Sequence, residues 1–219
     1  GMSTTNNNLF LKMWFEPCME KCGFGSFTAI SAKESSKKWF RYNKGGEFRR
    51  WYGNNDYVVN WENDGEELKK YVSERYGSYS KEIRSEDRYF YESITWSGVT
   101  SSQTGFRFSS QGAIFDSGAN GLFADEERVL KYTLGFLNTK LVVDFVKCKN
   151  PTINTGSGTV GKLPICIQNE KVEPVNIIVD KCIALSKNDW DSFETSWDFK
   201  KHPLIPILRG VWDVEEMQN

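Results

Sequence analysis

The sequence predicts an α+β fold: a curved, mostly antiparallel or mixed sheet with helices flanking it. Three observations carry this. Between 38 and 115, short runs of aromatic and β-branched residues recur, separated by turn residues, at the spacing of short strands. Between 125 and 147, apolar residues follow a helical period: Val129, Leu130 and Leu134, then pairs at 136–137, 141–142 and 145–146. Aromatic residues make up 15% of the chain and charged residues 26%, which fits a globular domain whose rings fill a core around a sheet or line a binding face. With 219 residues the chain can form one large domain, or a domain with an appendage.

In chain order, Gly1 and Met2 read as the scar of an expression tag, and 1–8 as a whole as a polar, flexible lead-in. Residues 9–15 fit a short strand or a helical turn. Residues 22–31, with Gly23 and Gly25, read as a turn. Residues 38–42 and 57–61 are the best early strands, and Asn63-Asp64-Gly65 ends the second. Asp64 is placed to cap a helix over 66–75, with Leu68, Tyr71 and Val72 on one face and Gly77 closing it. Residues 78–88 are charged without a period and read as an exposed loop. Residues 89–96 form the next strand, and 97–105 a small polar loop. Two short strands follow at 106–108 and 113–115, then a turn at 116–121. Gly135 and Asn138 split the 125–147 region into two helices. Residues 172–185 fit a helix or a strand. Ser186 is read as the N-cap of a further helix over 187–193, with Trp190, Phe193, Trp197 and Phe199 as anchors. Residues 203–219 read as poorly tied down, and 217–219 as a cut end.

A net charge of −1 gives no global pull toward nucleic acid, so any such case rests on local asymmetry. That asymmetry exists at 37–51, where six cations stand against one acid, Glu47, with Trp39, Phe40, Tyr42, Phe48 and Trp51 interleaved. Cations beside flat rings and flexible turns suit phosphate contact with stacking on bases. They equally suit a hairpin whose cationic side chains lie over its own rings. Five scattered cysteines predict free thiols and a reducing, cytoplasmic setting. With His202 the only histidine, a structural zinc site has too few ligands. No apolar run reaches membrane-spanning length.

Catalytic signatures are missing. Asn150-Pro151-Thr152-Ile153 lacks the second proline and the ring of an amino-methyltransferase tetrapeptide that holds a flipped base. Gly156, Gly158, Gly161 and Lys162 lack phosphate-loop spacing. Asp189, Asp191, Glu194 and Asp198 read as a solvated helix face rather than a metal site. What remains is suited to recognition. Three stretches, 37–55, 100–107 and 154–162, offer Arg, Lys, Asn, Gln, Ser and Thr side chains of the kinds that contact phosphates and base edges.

The strings KWFRYNKGGEFRRWYGNNDYVVNWENDG at 38–65, YFYESITWSGVTSS at 89–102 and SKNDWDSFETSWDF at 186–199 resemble the PglX family, adenine-specific DNA methyltransferases of BREX phage-defence systems. The resemblance runs from about Asn6 to about Pro203 and concerns the part of those proteins that follows the catalytic domain. That part is similar to the target-recognition domains of restriction-modification enzymes. The resemblance implies a target-recognition domain over 9–168 and a truncated C-terminal helical appendage over 169–219. It implies a region that binds double-stranded DNA and presents an adenine for N6 methylation. The catalytic domain of the same polypeptide, absent from this chain, would use S-adenosylmethionine; no cofactor is expected in this fragment. The contact patch expected here comprises Lys37, Lys38, Arg41, Lys44, Arg49, Arg50, Trp51, Asn54, Asn55, Thr100, Ser101, Ser102, Arg107 and Lys162. The alternative is a protein-interaction module that docks the catalytic domain, other defence-system proteins or a phage inhibitor. A nuclease would need carboxylates converging on a metal.

Overall fold

The computed structural model describes residues 1–100, 103–149 and 154–205. Within them the α+β architecture is present, with the strands divided between two sheets. A short helix α1 (Asn7–Phe10) runs directly into strand β1 (Leu11–Met13), so 9–13 supplies both of the elements that its sequence allowed. A six-residue helix α2 (Ala29–Glu34), started by a capping box between Thr28 and Ser31, ends the stretch that reads as a turn. β2 (Trp39–Asn43), β3 (Tyr57–Asn60), β1 and β6 (Ala113–Phe115) form the first sheet in the order β1-β3-β2-β6. Its pairs are antiparallel except β2 with β6, which is parallel. β4 (Ser93–Ser97), β5 (Arg107–Ser109) and β7 (Ala119–Leu122) form an antiparallel second sheet, in the order β5-β4-β7. The chain therefore shuttles between sheets: β5 in the second, β6 in the first, β7 in the second. β7 falls where the sequence suggested only turn, because the backbone of Ala119-Asn120-Gly121 pairs with β4 despite its turn-forming side chains.

Two cores result. Phe10, Phe40, Tyr42, Val59, Trp61, Ile114 and Phe115 of the first sheet side meet Leu68 and Val72 of helix α3 (Glu62–Tyr76). Trp61 and Tyr89 meet edge to face there at 5.4 Å. α3 begins with Asn63, Asp64 and Gly65 all left-handed, and Gly77 closes it in the same conformation. Asp64 does not cap the backbone; its carboxylate pairs with Lys69 at 2.7 Å. The charged 78–88 stretch is not all exposed: it forms two 3-10 turns, and its Ile83 is 2% exposed, in the first core. The lead-in is also anchored. Met2 is fully buried, its carbonyl accepts from the Tyr42 hydroxyl at 3.0 Å, and its N–H donates to Phe115.

The second core holds Ile94, Trp96 and Phe106 against helix α4 (Glu127–Leu137), helix α5 (Lys140–Lys149) and the turn helix α6 (Ser157–Val160). A 22-residue helix α7 (Asn169–Trp190) lies along α4 through Val175, Val179 and Ile183. Ser186 sits inside α7 and caps nothing, because one continuous helix replaces the two expected segments. Gly135 likewise lies inside α4 instead of splitting the helical region; Asn138 marks the break. Among the described residues no helix is long and apolar enough to cross a membrane. All five cysteines are free.

Candidate nucleic-acid interface

The structure brings three separated stretches into one loop cluster. Gly46 donates its N–H to Ser97 Oγ at 3.0 Å, and Ser97 Oγ donates back to the Gly46 carbonyl at 2.9 Å. Arg50 Nη2 donates to Gln103 Oε1 at 3.2 Å. The N–H of Thr155 donates to the Gly98 carbonyl, Val99 and Asn154 form an isolated bridge, and Thr104 Oγ1 donates to Thr155 Oγ1 at 2.8 Å. Segments 44–55, 97–100, 103–105 and 154–162 therefore share one end of the second sheet. The second core holds them from behind: Trp96 Nε1 donates to the Thr155 carbonyl, and Asn138 bonds both backbone groups of Phe106.

The exposed part of the cluster is mixed in character. Phe48 is 45% exposed at the tip of the first loop, with the Arg50 guanidinium 5.5 Å from its ring centroid. Lys149 and Lys162 face an open depression of about 370 Å³ with Asn154 and Thr159. Lys149 escapes the sequence reading because it closes a helix; its place beside the third loop comes from where α5 ends. Glu47 is exposed in the first loop and tempers its positive charge.

The other expected residues divide sharply. Lys37 donates to the Glu20 carbonyl, and Lys38 pairs with Glu62 and Glu67 at 3.5 and 3.2 Å, so both are tied to the first sheet's surroundings. Arg41 is half-buried and donates to Ser110 Oγ and the Gln111 carbonyl; burial lowers its pKa. Lys44 lies over the Tyr57 ring at 5.5 Å. Arg49 lies over the Trp190 ring at 4.7 Å and pairs with Asp189 at 3.6 Å, which docks the end of α7 on the loop. Trp51 is half-buried against the second core. Asn54 is 6% exposed and donates to the Glu47 carbonyl, so it shapes the loop and offers no free edge. Asn55 lines a narrow pocket with Arg41, Tyr52 and Trp197. Thr100 is half-buried in the second loop, and Ser101 and Ser102 lie outside the described residues, as does the Asn150-Pro151-Thr152-Ile153 string. Arg107 is 2% exposed, beneath the first loop. Asn54 and Arg107 are thus both buried in the structure described, not on its surface. Of the C-terminal rings, Trp190 is buried and Trp197 stacks on Phe24 at 5.1 Å, whereas Phe193 is 50% exposed.

Among the described residues no group of three or more His, Cys, Asp or Glu side chains converges in a way that could hold a metal ion. No protein-family model matches the chain. It is 36% identical over 218 residues to the adenine-specific methyltransferase PglX of Lacticaseibacillus casei (strain Zhang). It is 35% identical over 208 residues to the adenine-specific methyltransferase BrxX of Escherichia coli O9:H4 (strain HS). These matches cover 98% and 94% of this chain but only 18% and 16% of the two relatives. The chain is PglX-like: along nearly its whole length it is related to one segment of these adenine-specific methyltransferases.

Proposed function

We propose that this chain is the DNA target-recognition region of an adenine-specific N6 methyltransferase of the BREX type. The observation that carries this reading is the convergence of 44–55, 97–100 with 103–105, and 154–162 on one end of a sheet. Recognition needs polar and cationic side chains on projections held by a rigid frame, and here three such loops are cross-braced to each other and to a packed core. Arg50, Lys149 and Lys162 supply charge for phosphates, Gln103 and Asn154 supply amides of the kind that read base edges, and Phe48 offers a ring. Methyl transfer itself, with S-adenosylmethionine, would belong to the rest of the parent polypeptide. This region would fix the DNA so that an adenine reaches that site.

Binding to random duplex DNA, followed by fluorescence anisotropy across a salt series, tests the reading. Arg50→Ala and Lys162→Ala should each weaken binding and lower the salt slope by about one unit. Lys33→Ala, on the exposed end of α2, should change neither. Equal effects of all three substitutions, or no salt-sensitive binding by the wild type, would remove the loop cluster as the DNA surface.

A further inference from the structure

β4 and the 106–108 segment turn Ile94, Trp96, Phe106 and Phe108 toward the second core. Their alternate residues, Ser93, Thr95, Ser97, Arg107 and Ser109, make the opposite face of β4 and β5 polar, next to Ala119 and Gly121 of β7. Segment 44–55 runs along the β5 edge and closes over the Ser97 end. Gly46 holds Ser97, and Trp51 pairs with the strand on either side of Arg107, donating to the Phe106 carbonyl and accepting from the Phe108 N–H, both at 2.8 Å. Gly105 lies so close under Arg49 that a Cβ there would collide with the Arg49 carbonyl.

Under this cover Arg107 is poorly satisfied. Its Nε is buried with no hydrogen-bond partner, and its Nη1 lies 3.5 Å from the Gly105 carbonyl, at the edge of bonding distance. Among the described residues no carboxylate lies within ion-pair distance of it, and the nearby charge that acts on it is a second cation, Arg49. Burial, and after it Arg49, pulls the guanidinium pKa down to about 10, which still leaves it charged at neutral pH. Thr95 Oγ1, on the residue paired with Arg107, and Arg50 Nε are also buried without partners. A buried cation facing buried, unpaired polar atoms is costly unless something of opposite charge completes it.

We infer that Arg107 is the floor of a closed anion site that takes a phosphate oxygen when segment 44–55 lifts. The planar guanidinium fork suits a phosphate, whether from a nucleic-acid backbone or free in solution. The segment stores backbone strain that lifting would release: Trp51 and Asn54 are held left-handed at φ 70° and 59°, between Gly45, Gly46 and Gly53 at positive φ. Where the phosphate is DNA's, the inference rests on the recognition reading above; for free phosphate it stands without it.

The test compares the wild type with Arg107→Met, which keeps length and removes charge, and Arg107→Lys, which keeps charge. Thermal unfolding is followed in sodium phosphate and in sodium chloride of equal ionic strength, and DNA binding by anisotropy. Hydrogen exchange at Trp51 and Phe108 is read with and without each ligand. Arg107→Met should be at least as stable as wild type in chloride. It should lose the stabilisation that phosphate gives and bind DNA about tenfold more weakly. Arg107→Lys should keep part of both, and either ligand should speed exchange at Trp51 and Phe108 in the wild type. If Arg107→Met destabilises the protein and leaves both responses unchanged, Arg107 is a structural prop and the inference fails. If Arg107→Met does not fold, unchanged exchange at Trp51 and Phe108 in liganded wild type overturns it equally. DNA binding that is intact in Arg107→Met would sink the inference and leave the recognition reading standing. Phosphate stabilisation lost in Arg107→Met, with no DNA binding by wild type, would do the reverse.

Discussion

Asn138 ends α4 and at the same time braces the chain where it enters β5. Its side-chain oxygen accepts from the Phe106 N–H at 3.2 Å, and its amide donates to the Phe106 carbonyl at 3.0 Å. The residue is 8% exposed, so Asn138→Ala leaves a buried backbone donor without a partner. The cost expected is about 2 kcal/mol, read as a lower urea midpoint with an unchanged slope; a wild-type midpoint would mean that the brace contributes nothing. In the sequence Asn138 reads correctly as a helix break, but its partner lies 32 positions away and no local pattern reveals it. The same limit applies to the cations. Their types and clustering at 37–51 are plain in the sequence, and Lys44 and Arg50 do lie over Tyr57 and Phe48, rings of the same hairpin, whereas Arg49 lies over Trp190 of α7. Which of them are spent on ion pairs, as Lys38 is, or on hydrogen bonds, as Arg41 is, depends on distant residues such as Glu67 and Ser110.

Among the elements, the α4–α7 pair depends on one small residue. At Gly135 an added Cβ would stand 3.0 Å from Val179 Cγ2 and 3.2 Å from Val175 Cγ1. Lys131 bridges the same two helices through Asp180 at 2.8 Å, and Asn176 donates to the Arg128 carbonyl. Gly135→Val should therefore push the helices apart and cost about 2 kcal/mol. Gly135→Ala should sit between Val and wild type, its better helix propensity offsetting a milder contact. Thermal unfolding of the three proteins decides this; equal midpoints would show that α4 and α7 do not need the close approach. In the sequence a glycine inside an apolar helical run suggests a break, because the helix that would use it as a contact lies some forty residues away. Elements fixed by local chemistry are read better: Gly77 as a C-cap, and β2 and β3 from their rings and β-branched residues. α7 is harder, since its apolar positions form only part of one face and Pro174 interrupts the pattern near its start.

The whole molecule carries two cores, and the chain's path decides whether they act as one body. β5, β6 and β7 lie within 107–122, yet β6 belongs to the other sheet, so three residues separate the strands at each change of sheet. Side chains reinforce the crossing: Asn43 donates to Ser109 Oγ at 2.8 Å, and Tyr42 to Asp116 Oδ2 at 2.8 Å. Alternating short strands were legible, but not this distribution, because strand signals carry no information about which sheet a strand joins. The loop cluster inherits the arrangement, since 44–55 leaves the first sheet and is held on the second. Losing one core should therefore release the other. Leu134 is fully buried in the second core, and Leu134→Ala should cost about 3 kcal/mol. If the molecule unfolds as one unit, hydrogen exchange should accelerate by the same factor at Val58 and Val59 of β3, in the first sheet, as at Leu130 in α4. Faster exchange in α4 with β3 unchanged would show that the two sheets unfold independently. The loop cluster would then be held by a hinge between two bodies and not by a single rigid frame.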